Sequence, residues 1–148
     1  MPASKLHPLS GLTVVHCHGC FDVPHIGHIR HLEQAKAMGD VLFVTITADK
    51  YVNKGPGRPF FQDEVRAESI ASLTCVDFVA INYATNAADA IRAIKPTLFV
   101  KGPDYWNFDT PGLRAEKAAL AEVGGRLVFT DGEVFHSTDL GKLVLEHA

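Results

Sequence analysis

What the sequence lacks narrows it first. Only three of its 148 residues are cysteine. An odd number cannot all pair within one chain, and no export signal leads the sequence, so reduced thiols in a cytoplasmic protein are expected. No apolar run comes near the roughly 18 residues needed to cross a bilayer, so no membrane association is expected. Positive charge is not in excess: 14 Lys and Arg stand against 17 Asp and Glu. That balance disfavours nucleic-acid binding, which rests on basic surface. There is no internal repeat, no low-complexity tract and no block of like charge, which excludes collagen, coiled coil and disorder. Residues 1–11 carry Pro2, Pro8 and Gly11 without an apolar heart and read as a loose lead-in. Residues 12–148 amount to a single domain, either complete or one domain of a longer bifunctional protein.

What is present is an alternation. Short runs rich in β-branched and aromatic residues, at Leu12–Cys17, Val41–Thr47, Asp77–Ile81, Leu98–Val100 and Arg126–Phe129, are separated by stretches of helical period. Ile26, Ile29, Leu32 and Ala35 recur every third residue, and Gly39 closes that run. Helices are also expected over Asp63–Leu73, around Ala87–Ile94 before Pro96, over Leu113–Val123 before Gly124 and Gly125, and near Leu140–Val144. Continuous apolar strands between helices predict an α/β fold, a doubly wound Rossmann-like sheet of five parallel strands with helices on both faces. Ligands bind such sheets at the carboxyl ends of the strands.

The first of those ends carries His16-Cys17-His18-Gly19-Cys20-Phe21-Asp22-Val23-Pro24-His25-Ile26-Gly27-His28. Gly19 allows close backbone approach to a ligand. A helix beginning here offers free N–H groups and a positive dipole end, which favour an anion. His25 and His28, three apart, fall on one side of its first turn, placed to donate to phosphate oxygens. Two other chemistries compete for the same stretch. His16, Cys17, His18 and Cys20 could supply ligands to zinc, and Cys17-x-x-Cys20 before a helix could be a thioredoxin-like redox pair.

The run Gly19-x-Phe21-Asp22-x-x-His25-x-Gly27-His28 resembles the G-x-F-D-x-x-H-x-G-H signature of the cytidylyltransferase-like nucleotidyltransferases. Arg58-Pro59, Glu64-x-Arg66, Val76-Asp77, Lys101-Gly102-Pro103-Asp104-Tyr105 and Ser137-Thr138 follow in the order seen in that family. The late Ser-Thr and the K-G-x-D-Y element are similar to those of the adenylyltransferase domain of ADP-heptose synthase. Glycerol-3-phosphate cytidylyltransferase is a more distant likeness, and the cytidylyltransferase domain of fosfomycin biosynthesis fits as well. Three positions depart from the pattern: Cys20 for a usual Thr, Gly132 for an Arg before the late Ser, and Asp139 in place of a second Thr.

The resemblance implies transfer of a nucleoside monophosphate from a triphosphate to a small anionic acceptor, with release of pyrophosphate. It implies that His25 and His28 hold the triphosphate and stabilise charge on the α-phosphate, with Lys54 as a further catalytic cation. Gly19, Cys20, Phe21, Gly27, Lys101, Gly102, Asp104, Ser137 and Thr138 would complete the nucleotide site. Asp22, Lys54, Arg66, Tyr105 and Trp106 would face the acceptor. Mg²⁺ would arrive on the triphosphate, with no dedicated metal site in the protein, and the assembly would be a homodimer. The expectation is a cytidylyltransferase using CTP and a phosphate or phosphonate. The alternatives are an adenylyltransferase using ATP and a sugar phosphate of heptose type, and a non-catalytic nucleotide-binding module.

Overall fold

The computed structural model describes residues 10–103 and 109–131. Five strands, β1 (Val14–Gly19), β2 (Val41–Thr47), β3 (Phe78–Asn82), β4 (Leu98–Lys101) and β5 (Arg126–Phe129), form one sheet in the order β3-β2-β1-β4-β5. Every pairing is parallel. Helices α1 (Ile26–Lys36), α2 (Asp63–Ala71), α3 (Ala88–Ile94) and α4 (Pro111–Glu122) make the crossovers, with a 3₁₀ turn at Asp49–Tyr51 after β2. The final helix expected near Leu140–Val144 lies outside the described residues.

The period-two alternation of the strands sorts their side chains between two cores. Val15, Cys17, Leu42, Val44, Ile46 and Val100 meet Leu32 and Ala35 of α1 and Ile70 of α2 on one face. Phe99, the neighbour of Val100, turns to the other face and packs with Ala88 and Ile91 of α3 and Ala119 and Leu120 of α4. Helices therefore cover both faces. The chain leaves β1 toward β2 on one side and returns from β3 to β4 on the other, so the crevice where the strand order reverses lies between β1 and β4.

Element boundaries differ from the sequence expectation for local reasons. β1 begins at Val14, because the Thr13 amide is taken by the Asp40 carboxylate at 2.8 Å, and it runs on to Gly19, which pairs with Ile46. α4 starts at Pro111 rather than Leu113. Thr110 caps it by accepting the Leu113 amide at 3.2 Å, and Pro111 suits the first helical turn, where no intrahelical donor is needed. Asp77 precedes β3 and accepts both the Leu42 amide at 2.8 Å and the Lys36 ammonium at 2.7 Å, tying three elements together.

Candidate active site

The turn from β1 into α1 is held by its own side chains. His25 occupies the cap position of α1 in extended conformation. Its Nδ1 accepts the Gly27 amide at 3.1 Å, and Nδ1 of His28 accepts the His25 amide at 3.1 Å. This is a reciprocal capping box built from two imidazoles in place of the usual hydroxyl and carboxylate. An accepting Nδ1 carries no proton, so each neutral ring bears its hydrogen on Nε2 and can donate it to an oxygen. The two rings lie 4.0 Å apart, centroid to centroid, and are tilted 32°. No acid occupies the first turn of α1, which leaves its positive end uncompensated by a local carboxylate.

The space left by the missing side chain of Gly19 is used within the protein. A Cβ built there would lie 2.9 Å from Cε2 of Phe21, so the close approach to Gly19 is made by the protein's own phenyl ring. That ring then meets His28 edge-on at 5.4 Å. Glycine, phenylalanine and histidine thus form a stack that fixes one catalytic candidate. Phe21 and Val23 both take left-handed backbone, at φ 52° and 70°. For a β-branched residue such as Val23 this is strained, of order 1–3 kcal/mol.

Between those two residues, Asp22 points inward, its side chain fully buried. Its carboxylate accepts Nε of Arg58 at 2.6 Å, the Phe60 amide at 2.7 Å and the Phe61 amide at 3.0 Å. Burial alone would push this carboxyl up. The two amides and the Arg58 guanidinium outweigh burial and hold it below the usual carboxylate range. The expectation that Asp22 faces the acceptor is therefore corrected: both of its oxygens are committed within the protein. Arg66 is corrected in the same way. It is 1% exposed, and its guanidinium donates to the carbonyls of Phe61 (2.9 Å), Cys20 (2.8 Å) and Thr47 (2.8 Å) and to Asp49 (2.7 Å). It is a strut joining the ends of β1 and β2 to the segment before α2, not a cation awaiting phosphate. Lys54 is exposed, in a turn whose Gly55 and Gly57 take φ of +97° and +76°.

Lys101 ends β4 at the crevice, and Gly102 follows it. The Lys101 ammonium is 3.3 Å from Glu116 of α4, both side chains largely buried. The other Glu116 oxygen accepts the Ala87 amide at 2.8 Å. Sequence reasoning missed Glu116, although an acid set among Leu113, Ala119 and Leu120 on the buried stripe of a helix is itself a signal. Asp104, Tyr105, Trp106, Ser137 and Thr138 lie outside the described residues.

The zinc and redox readings of the first loop fail on geometry. Cys17 turns into the apolar core, where burial pushes its thiol up, while its neighbours His16 and His18 turn to the opposite face. There they share Thr45: His16 Nε2 and His18 Nδ1 each lie 2.8 Å from its Oγ1. No three His, Cys, Asp or Glu among the described residues are grouped to hold a metal ion.

A five-stranded parallel sheet with its crevice between β1 and β4, and two capping imidazoles at the start of the helix that follows β1, are the fold and signature of a Rossmann-like nucleotidyltransferase. The chain belongs to the cytidylyltransferase-like family, whose model matches residues 16–134. It is similar to the bifunctional protein HldE of Syntrophotalea carbinolica, 35% identical over 123 residues that make up 82% of this chain and 24% of that protein. With the bifunctional protein HldE of Aliarcobacter butzleri it shares 43% identity over 112 residues, 74% of this chain and 23% of the relative. The chain thus spans about a quarter of the length of the curated relatives it matches. Among solved structures it resembles the lipopolysaccharide core biosynthesis protein from Thermoplasma volcanium, with a TM-score of 0.71 and 25% identity, over 84% of this chain and 100% of that one. A pantoate–β-alanine ligase from Francisella tularensis shares the fold alone, with a TM-score of 0.56 and 16% identity over 93% of this chain and 70% of that one. Among the described residues no helix is long and apolar enough to cross a membrane.

Proposed function

We propose that this nucleotidyltransferase moves AMP from ATP to a sugar phosphate of heptose type and releases pyrophosphate. The likeness to HldE proteins, and to a structure described as a lipopolysaccharide core biosynthesis protein, supports the adenylyl alternative over the cytidylyl one. The K-G-x-D-Y element at Lys101–Tyr105 leans the same way.

The observation that carries the chemistry is the imidazole capping box. A phosphate oxygen of the acceptor attacks the α-phosphorus in line, the bond from that phosphorus to the bridging oxygen of the β-phosphate breaks, and pyrophosphate leaves. An ionised phosphate is already a nucleophile and needs no general base. The protein's work is positioning and charge stabilisation. Nε2–H of His25 and of His28 would donate to oxygens of the α-phosphate as charge builds there, with their direction set by the backbone amides on Nδ1. Mg²⁺, when bound, would neutralise triphosphate oxygens. It would come with the nucleotide, since the Asp22 carboxylate beside the signature histidines is already committed.

The test is pyrophosphate release from ATP and from CTP, each offered with a heptose phosphate, glycerol phosphate and 2-hydroxyethylphosphonate. Turnover with ATP and heptose phosphate is expected. Preference for CTP with another acceptor would replace the adenylyl reading, and nucleotide binding in calorimetry without turnover on any acceptor would leave a non-catalytic module.

A further inference from the structure

Asp22 lies inside the family signature, three residues before His25, yet its carboxylate reaches across to a distant segment, residues 58–61. We infer that Asp22 is a positioning residue: it latches the Lys54–Phe61 segment onto the His25–His28 turn and so sets where Lys54 stands during nucleotidyl transfer. The inference rests on the transferase reading for its catalytic consequence but not for the latch itself.

The latch is two-sided. Asp22 takes the segment's donors, Arg58 Nε and the amides of Phe60 and Phe61, while Arg66 takes an acceptor from the same stretch, the Phe61 carbonyl at 2.9 Å. Arg58 adds a longer donation to the Asp22 carbonyl at 3.3 Å and lays its guanidinium over the Phe60 ring at 4.2 Å. The segment has little else to hold it. Phe60 and Phe61 are 59% and 47% exposed, and residues 53–57 are exposed as well. A stretch with few buried contacts opens readily unless specific bonds close it. On the signature side, the left-handed Phe21 and Val23 turn Asp22 inward, a costly conformation that its three accepted bonds offset. The arrangement also cancels the carboxylate's charge internally, so it does not repel an anionic acceptor.

Amide hydrogen exchange on the ligand-free chain tests the latch directly. In Asp22→Asn, exchange at Phe60 and Phe61 should quicken at least tenfold, while Val44 and Ile46 in β2 keep wild-type protection. Arg58→Gln should do the same from the opposite side, and it carries the test if Asp22→Asn does not fold. In turnover assays Asp22→Asn should lower kcat at least tenfold with the acceptor KM within twofold. Unchanged protection of Phe60 and Phe61 in either folded variant would overturn the latch. A raised acceptor KM at wild-type kcat would return Asp22 to the acceptor site and overturn it too. Should the wild-type chain transfer no nucleotide, the transferase reading falls, and the exchange result still decides the latch.

Discussion

Two pairs of histidines lie within thirteen residues of each other and differ in almost everything but side chain. His16 and His18 stand two apart on a strand and point into the same face. His25 and His28 stand three apart where a helix begins. The strand pair turns to a shared threonine inside the protein: His16 is 0% exposed, lies edge-on to Phe99 at 5.0 Å, and keeps an unpartnered Nδ1. Burial, then the charges of His18 and Lys101, hold His16 well below the ordinary value of 6.5, while burial and Lys101 bring His18 down to about 4 against a raising bond from Thr45. The helix pair turns each Nδ1 to a backbone amide of its own turn. Chemistry follows the backbone period that sets where each ring points, not the residue type. The strand pair serves the interior, and the helix pair braces the turn that carries the family signature, where the proposed chemistry places it.

The largest expected effect tests that division at its centre. His28→Ala should lower kcat for pyrophosphate release by roughly 10² or more, the scale for losing a transition-state donor, with the circular-dichroism spectrum unchanged. Next is Thr45→Val, which keeps shape but strands a nitrogen of each strand histidine. Its urea midpoint should fall by the equivalent of about 2–3 kcal/mol with the slope unchanged. Helix capping separates from catalysis at His25. His25→Ala should cost about 1 kcal/mol of stability, whereas His25→Asn, a good cap, should recover most of that; both should lose turnover. A His25→Asn variant with full activity would break the comparison.

The smallest effect is His16→Leu, a swap of similar volume that should change stability at pH 7 by no more than about 1.5 kcal/mol and leave kcat unaltered. Its signature is in acid. His18, at about 4 when folded and 6.5 when unfolded, and His16, shifted in the same direction, refuse protons that the unfolded chain accepts. Stability is therefore intact above about pH 6.5 and drains away as pH falls toward 4. Melting scans at pH 7 and pH 5 should show a smaller drop for His16→Leu than for wild type.

The sequence made the fold legible where the signal was periodic. All five parallel strands and the four described helices lie where apolar runs and spacing placed them, because those patterns are what bury the two cores. The signature histidines were legible for the same reason, as residues on one side of a helical turn. Asp22 and Arg66 were misread because nothing local reveals a partner. Asp22 meets Arg58, Phe60 and Phe61 across 36 to 39 positions, and Arg66 meets Cys20 across 46. A charged residue next to a phosphate motif reads as a ligand contact until the fold shows what consumes it. That Phe21 would occupy the Cβ position of Gly19 was likewise invisible in the sequence, since a motif does not show which way a ring folds back.

Glu116 divides its two oxygens between the head of α3 and the cation closing β4, so three pieces of chain share one carboxylate. Exchanging the connection that precedes Ala88 would therefore disturb Lys101 without touching it. A replacement there has to return a backbone N–H to the place of Ala87's, so that the acid on α4 keeps both of its partners.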